Sequence, residues 1–298
     1  GNAVVAQSGG PTAVINGSVS GVVQEWLKGG PPGLIYGALF GIRGVLEENL
    51  LDLSRQPQHI IEGLRYTPGA ALGSSRYKLS QEEDYARLLE AFKKHQIRYF
   101  FYIGGNDSMD TCLKVSRFLK KENYDCRVIG IPKTVDNDLE GTDHCPGFGS
   151  AARYIATSIA EVWQDTHSYN QPMAVVFECM GRHAGWMAGA SALAGLIGCG
   201  PDLIYLPEIP FDREQMIRDA KKVLEKKNVV LISVSEGIMT ADGRLVAEEL
   251  SARETDAFGH KQLGGTAVLL ADLLGESLGL KVRGIEFSLL QRAGAHLA

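Results

Sequence analysis

The sequence predicts an α/β protein with mainly parallel sheets arranged in two lobes, and three observations predict it. Strand-like apolar runs alternate with helix-periodic stretches along most of the 298 residues, the pattern of strand–helix–strand units. The run at 97–103 is β-branched and aromatic but for Arg98, as in a strand covered on both faces. Polar stretches, two of them glycine-rich, follow directly on three of the strands, where open parallel sheets bind ligands. At roughly 150 residues per domain, the length suggests two lobes.

Residues 3–7 form the first strand, which ends at Ser8-Gly9-Gly10-Pro11-Thr12. Residues 13–27 have helical periodicity and stop at Gly29-Gly30-Pro31-Pro32. Residues 34–38 read as the second strand. Ser80, with Glu83 three positions later, makes a capping box for a helix reaching Lys94. The strand at 97–103 ends at Gly104-Gly105-Asn106-Asp107-Ser108, and a helix follows to Lys121. Residues 127–131 are the next strand, closed by Pro132-Lys133-Thr134-Val135-Asp136-Asn137-Asp138, with a helix beginning near Gly149. Beyond it the reading is strand at 174–179, helix at 184–194, helix at 212–226 and strand at 229–234. A helix at 264–278 and a strand at 282–289 follow. There is no fixed-period repeat and no low-complexity linker. Turn residues cluster at 142–149, which puts the lobe boundary there: 1–141 and 142–298.

Composition narrows the function classes. Hydrophobic residues at 45% and charged residues at 22% are ordinary for a globular chain. Thirty basic against 35 acidic residues leave a net charge of −5, which argues against a general nucleic-acid binder. The five cysteines, Cys112, Cys126, Cys145, Cys179 and Cys199, form no C-x-x-C pair and are odd in number. That disfavours a disulfide framework or structural zinc and suits a reducing compartment. No secretory leader pattern and no bilayer-length apolar run is visible. The expectation is a cytoplasmic protein with neither membrane nor nucleic acid as partner. Glycine is in excess, 35 of 298 residues against a usual share of about 7%.

The glycines lead to the chemistry. Gly9-Gly10 and Gly104-Gly105 each precede a helix start, where backbone N–H groups and the positive dipole end suit phosphate. Tight strand–helix turns also use glycine, so either loop alone is ambiguous. Neither matches the Walker or dinucleotide fingerprints. In the 134–138 stretch two carboxylates stand two residues apart beside Lys133. Asp136 could take a proton from a substrate hydroxyl, with the neighbouring cation keeping it ionised. Asp138 could orient a neighbour or support a magnesium water shell; an Asx-turn is the bland alternative. His144-Cys145 has no third ligand nearby for a metal, and His183 reads as a bystander.

Taken together, Gly104-Gly105-Asn106-Asp107-Ser108, Pro132 to Asp138 and Met180-Gly181-Arg182 resemble the phosphofructokinase family. Gly9-Gly10-Pro11-Thr12-Ala13-Val14-Ile15-Asn16, Leu72-Gly73-Ser74-Ser75-Arg76, Glu236-Gly237 and Gln291-Arg292 agree, in family order. The resemblance implies two Rossmann-like lobes, the first for the phosphoryl donor and the second for the sugar phosphate. It implies transfer to the 1-hydroxyl of fructose 6-phosphate, with Mg2+ as cofactor. Asp136 is then the general base, with Lys133, Thr134 and Asp138 in the same motif. Gly10, Arg76, Gly105, Asp107 and Ser108 match the donor site. Met180, Gly181, Arg182, Glu236, Arg283 and Arg292 match the sugar-phosphate site, Arg283 reaching in from a neighbouring subunit of a homodimer or homotetramer.

Donor choice follows from two positions of that resemblance. ATP-using relatives have glycine where this chain has Asp107 and Lys133, whereas pyrophosphate users have aspartate and lysine. A carboxylate where an α-phosphate would lie repels it by about 4 kcal/mol at 4 Å and an effective dielectric of 20. Pyrophosphate is therefore the expected donor, in a reversible glycolytic reaction. The rivals are an ATP-dependent 6-phosphofructokinase and a non-catalytic regulatory homologue. The latter draws on Asn106, which stands where many relatives have a magnesium-associated aspartate; Asn106 and Asp107 are the metal candidates. Family members continue past Arg292 into further structure, leaving the expectation that a C-terminal segment is missing.

Overall fold

Nine strands among the described residues of the computed structural model form two sheets; it describes residues 1–30, 33–250 and 265–294. By contacts the chain divides into two compact units. The first holds Gly1–Val135 and Leu139–Ser150; the second holds Asp136–Asp138 and the residues from Ala151 on.

The first unit carries β1 (Asn2–Gln7), β2 (Ile35–Ala38), β3 (Leu50–Asp52), β4 (Ile97–Gly104) and β5 (Arg127–Pro132). They lie in the order β3-β2-β1-β4-β5, all parallel except β3 on β2. Alternation along β1 sends its side chains to two cores. Val4 and Ala6 pack with Phe92, Phe100 and Leu119, under the helices Glu82–Lys94 and Asn106–Lys121. Ala3 and Val5 pack with Ile15, Val19 and Ile103, under the helix Ile15–Lys28. A strand sandwiched this way needs apolar residues on both faces, hence the strongly apolar runs.

The second unit carries β6 (Met173–Cys179), β7 (Leu203–Tyr205), β8 (Val229–Ser235) and β9 (Lys281–Glu286), all parallel, in the order β7-β8-β6-β9. Every residue of β6 and β8 is buried. Val176 and Ile232 face the helices Arg213–Leu224 and Thr266–Leu278. On the other side Phe177 stacks on Phe287, whose ring meets Tyr154 edge-on from the helix Phe148–Thr166.

The sequence-predicted elements recur with adjustments. The helix read from Ser80 begins at Glu82, capped by Gln81 without a side-chain bond, so the capping box does not form. Three acids in its first turn, Glu82, Glu83 and Asp84, favour that end instead. The helix read at 184–194 is only Trp186–Ala190, continued by a 3-10 stretch, Ser191–Ile197. Gly185, Gly189 and Gly195 make this segment a poor α-helix former. The last strand stops at Glu286, and Leu290–Ala293 turns into a short helix. Pro31, Pro32 and Gly264, used as helix boundaries, lie outside the described residues. No helix among the described residues is long and apolar enough to cross a bilayer.

Candidate functional site

In the first sheet the chain leaves β1 for β2 on one side and returns to β4 on the other. Between β1 and β4 the connections diverge, opening the crevice where such sheets bind ligands. Both glycine loops lie there. The Ser8 N–H donates to the Ile103 carbonyl at 2.9 Å, and the Lys133 N–H to the Gly104 carbonyl at 3.0 Å. Gly104 is required by packing: a Cβ there would run into the Ser108 hydroxyl and lie 3.3 Å from the Ser8 Cβ. The Lys133 side chain is buried, and its ammonium donates to the Gly10 carbonyl at 2.7 Å. Thus Gly10, Gly105, Ser108 and Lys133 gather at one place.

The other donor-site candidates stand more openly. Asp107, in the first turn of the helix Asn106–Lys121, is exposed, and its carboxylate meets Lys78 at 3.2 Å. The sequence offered no signal for Lys78, 29 residues away. Arg76 is exposed on a segment tied to the first loop, where the Ser74 hydroxyl donates to the Gly9 carbonyl and Ser8 bridges Ser75. Thr134 is anchored by its N–H to the Pro146 carbonyl at 3.2 Å and by a bridge to Gly147. Asn137, with φ of 54°, turns the chain between Asp136, which is half-buried, and Asp138, which is exposed. His144 rests on the Phe148 ring and belongs to no metal cluster among the described residues.

The second sheet diverges in the same way around β6, flanked by β8 and β9. The Met180 N–H donates to Gln291 Oε1 at 3.0 Å, and the Gly181 N–H to Glu236 Oε1 at 3.4 Å. The Glu236 N–H returns to the Cys179 carbonyl at 2.8 Å, and Ser235 donates to the Gly181 carbonyl. Gly181 adopts φ of 124°, and a Cβ there would collide with the Ala184 carbonyl. The Arg182 guanidinium lies 3.9 Å from Glu236 and is largely exposed. So Met180, Gly181, Arg182 and Glu236 converge, with Arg292 held in the short helix beside Gln291. Arg283 does not join them; it is exposed on the edge strand β9, opposite Val175.

Glu178, which sequence reading passed over as strand interior, is buried at the end of β6. Its carboxylate accepts the Ala267 N–H at 2.9 Å at the start of the helix Thr266–Leu278. Burial pushes its pKa from 4.5 up to about 7, and the Glu286 and Glu236 charges add to the rise. The native state thus holds this proton more tightly than the unfolded chain. The associated stability is full below 4.5 and is lost as pH rises through about 7. Glu178→Gln keeps the acceptor for Ala267 without the charge. It should melt like the parent at pH 4.5 and several degrees higher at pH 8.5, from roughly 3 kcal/mol. Equal melting at both pH values would refute the assignment.

The Phosphofructokinase family pattern matches residues 2–285. A pyrophosphate--fructose 6-phosphate 1-phosphotransferase of Halomonas elongata is 48% identical over 305 aligned positions, covering all of this chain and 72% of its own. The crystal structure of a pyrophosphate-dependent phosphofructokinase from Nitrosospira multiformis superposes with a TM-score of 0.87 at 43% identity, over 99% of this chain and 71% of that one. One from Marinobacter aquaeolei gives 0.86 at 41% identity, over 99% and 70%. With this match, and with its glycine loops, its Lys133 contact and its Met180–Glu236 cluster at the divergence points of two mainly parallel sheets, the chain belongs to the phosphofructokinase family.

Proposed function

We propose that this protein transfers a phosphoryl group from pyrophosphate to the 1-hydroxyl of fructose 6-phosphate, giving fructose 1,6-bisphosphate and phosphate, reversibly and in glycolysis. The observation that carries the donor assignment is Lys133. Its buried ammonium is fixed against the Gly10 carbonyl, between two glycine loops whose N–H groups suit phosphate. An ammonium held in place before the reaction stabilises charge on the transferring and leaving phosphates without reorganisation. Gly10, Arg76, Gly105, Asp107 and Ser108 hold the donor. Met180, Gly181, Arg182, Glu236 and Arg292 hold the sugar phosphate.

In this reading Asp136 accepts the proton of the 1-hydroxyl as its oxygen attacks phosphorus, and the bond to the leaving phosphate breaks. Thr134 and Asp138 support the same loop. Arg283, exposed on β9, serves the sugar-phosphate site of a neighbouring copy, in a homodimer or homotetramer. The five cysteines are free thiols, and burial pushes those of Cys112, Cys126 and Cys179 up to about 12. Unpaired thiols accord with the cytoplasm.

Magnesium fits the residues present. Among the described residues no three His, Cys, Asp or Glu side chains come together as a cage. Magnesium, however, binds through substrate phosphates with only one or two carboxylates. Asp107 presents an exposed carboxylate at a helix start, and Asn106 adjoins it; these two would hold magnesium pyrophosphate. Bound there, the ion neutralises phosphate charge.

A coupled assay with fructose 6-phosphate, magnesium and either pyrophosphate or ATP tests the proposal. Turnover is expected with pyrophosphate alone. Comparable turnover with ATP would overturn the donor assignment, and none with either donor would leave a binding protein.

A further inference from the structure

Residues 67–81 form neither helix nor strand, yet they present Arg76. Two fully buried amides hold this segment: Gln7, the last residue of β1, and Asn16, the second residue of the helix Ile15–Lys28. The Asn16 amide donates to the Thr67 carbonyl at 2.8 Å and to the Gly69 carbonyl at 3.0 Å. Its oxygen accepts the Ala71 N–H at 2.8 Å and the Gln7 amide at 2.8 Å. Asn16 therefore uses both donors and both lone pairs. Gln7 Oε1 accepts the Leu72 N–H at 2.9 Å.

From there the links run straight to the donor loops. Leu72 is four residues before Arg76, and Gln7 is two before Gly9. Beyond the amides, Ser74 bonds the Gly9 carbonyl, and the Gly9 N–H reaches the Ser75 carbonyl at 3.4 Å. Buried amides are costly unless they are hydrogen-bonded, and the fully bonded Asn16 narrows the arrangements open to the backbone it clips. An apolar pair would fill the same volume beside Ile15 and Ile103 but would leave the 67–72 carbonyls and N–H groups unmatched.

We propose that Gln7 and Asn16 are positioning residues for the phosphoryl donor. They fix the 67–76 segment against the Gly9-Gly10 loop, so that Arg76 and the loop meet pyrophosphate in one geometry. This rests on the donor reading above. It predicts a split that a merely structural role would not produce, because no bond of the network reaches the sugar-phosphate residues.

The test uses Asn16→Ser and Gln7→Met, each checked for a cooperative melt. In folded Asn16→Ser the KM for pyrophosphate should rise tenfold or more, while the KM for fructose 6-phosphate changes less than twofold. Gln7→Met should show the same split, and it decides the matter if Asn16→Ser does not fold. Unchanged KM values, or equal rises for both substrates, would overturn the proposal. Calorimetric titration with pyrophosphate alone separates the two readings. If the parent binds pyrophosphate without turnover and the variants bind it at least tenfold more weakly, positioning stands while the catalytic reading falls. If the parent does not bind pyrophosphate, both fall.

Discussion

Replacing Asp136 with serine should lower kcat by about 10²- to 10⁴-fold, the usual worth of a positioned general base, with little change in either KM. Serine cannot take the hydroxyl proton at neutral pH, so what is lost is an interaction made only as the proton moves, which lowers kcat rather than affinity. The loop itself should survive. Thr134 is held by its N–H to the Pro146 carbonyl and its bridge to Gly147, and the turn is made by Asn137. Steady-state kinetics check it: kcat should fall while the KM for each substrate stays near the parent's. Near-parental turnover would remove Asp136 from the role.

Asp107→Gly should open the donor site to ATP. The size of the effect depends on how well water screens the carboxylate. At 4 Å two unit charges repel by about 4 kcal/mol at a dielectric of 20 but only about 1 kcal/mol in water, a span from thousandfold to about fivefold. The Asp107 side chain is 80% exposed and shares its charge with Lys78 at 3.2 Å, which places the electrostatic part toward the lower end. Removing bulk where an α-phosphate would lie adds to it. The expected result is a rise of five- to a hundredfold in kcat/KM for ATP, with pyrophosphate use reduced through the loss of the carboxylate proposed to hold magnesium. Competing the two donors against each other measures both. No gain with ATP would shift donor selection onto Lys133 and the Gly10 loop.

The two predictions differ in how far sequence reading could carry them. Asp136 and Lys133 were legible because they follow a strongly apolar strand within a dense polar motif, and strand ends are where such sheets act. Exposure was not legible: nothing in the residues near Asp107 says that Lys78 comes to it across 29 positions. Long strands such as β4 and β8 were readable from strongly apolar runs, interrupted only by Arg98 in the one and Ser233 within the other. Three-residue strands such as β3 and β7 have too few residues to show a period, and they exist because a neighbour offers an edge. The Ser80 capping box failed because the helix begins one residue later than its spacing requires. Gln7 and Asn16 are amides in otherwise apolar surroundings, a visible anomaly, but their partners at 67–72 are backbone groups that no side-chain pattern marks. Glu178 gave no sign at all, since its carboxylate acts on a helix start 89 residues on.

The strand order of the first sheet also governs how the protein is made. β1 lies between β2 and β4, and Val4 pairs with Phe100. While the ribosome is still adding the residues between them, β1 has a partner on one side only. Its other edge offers unpaired backbone groups flanked by valine and alanine, a template for intermolecular pairing. Lys133, which bonds Gly10, comes later still. At 5–20 residues per second, residue 133 follows Gly10 by roughly 6–25 seconds. The glycine loop is thus synthesised well before the strand and the ammonium that complete it, and over that interval the nascent chain has most need of chaperone cover.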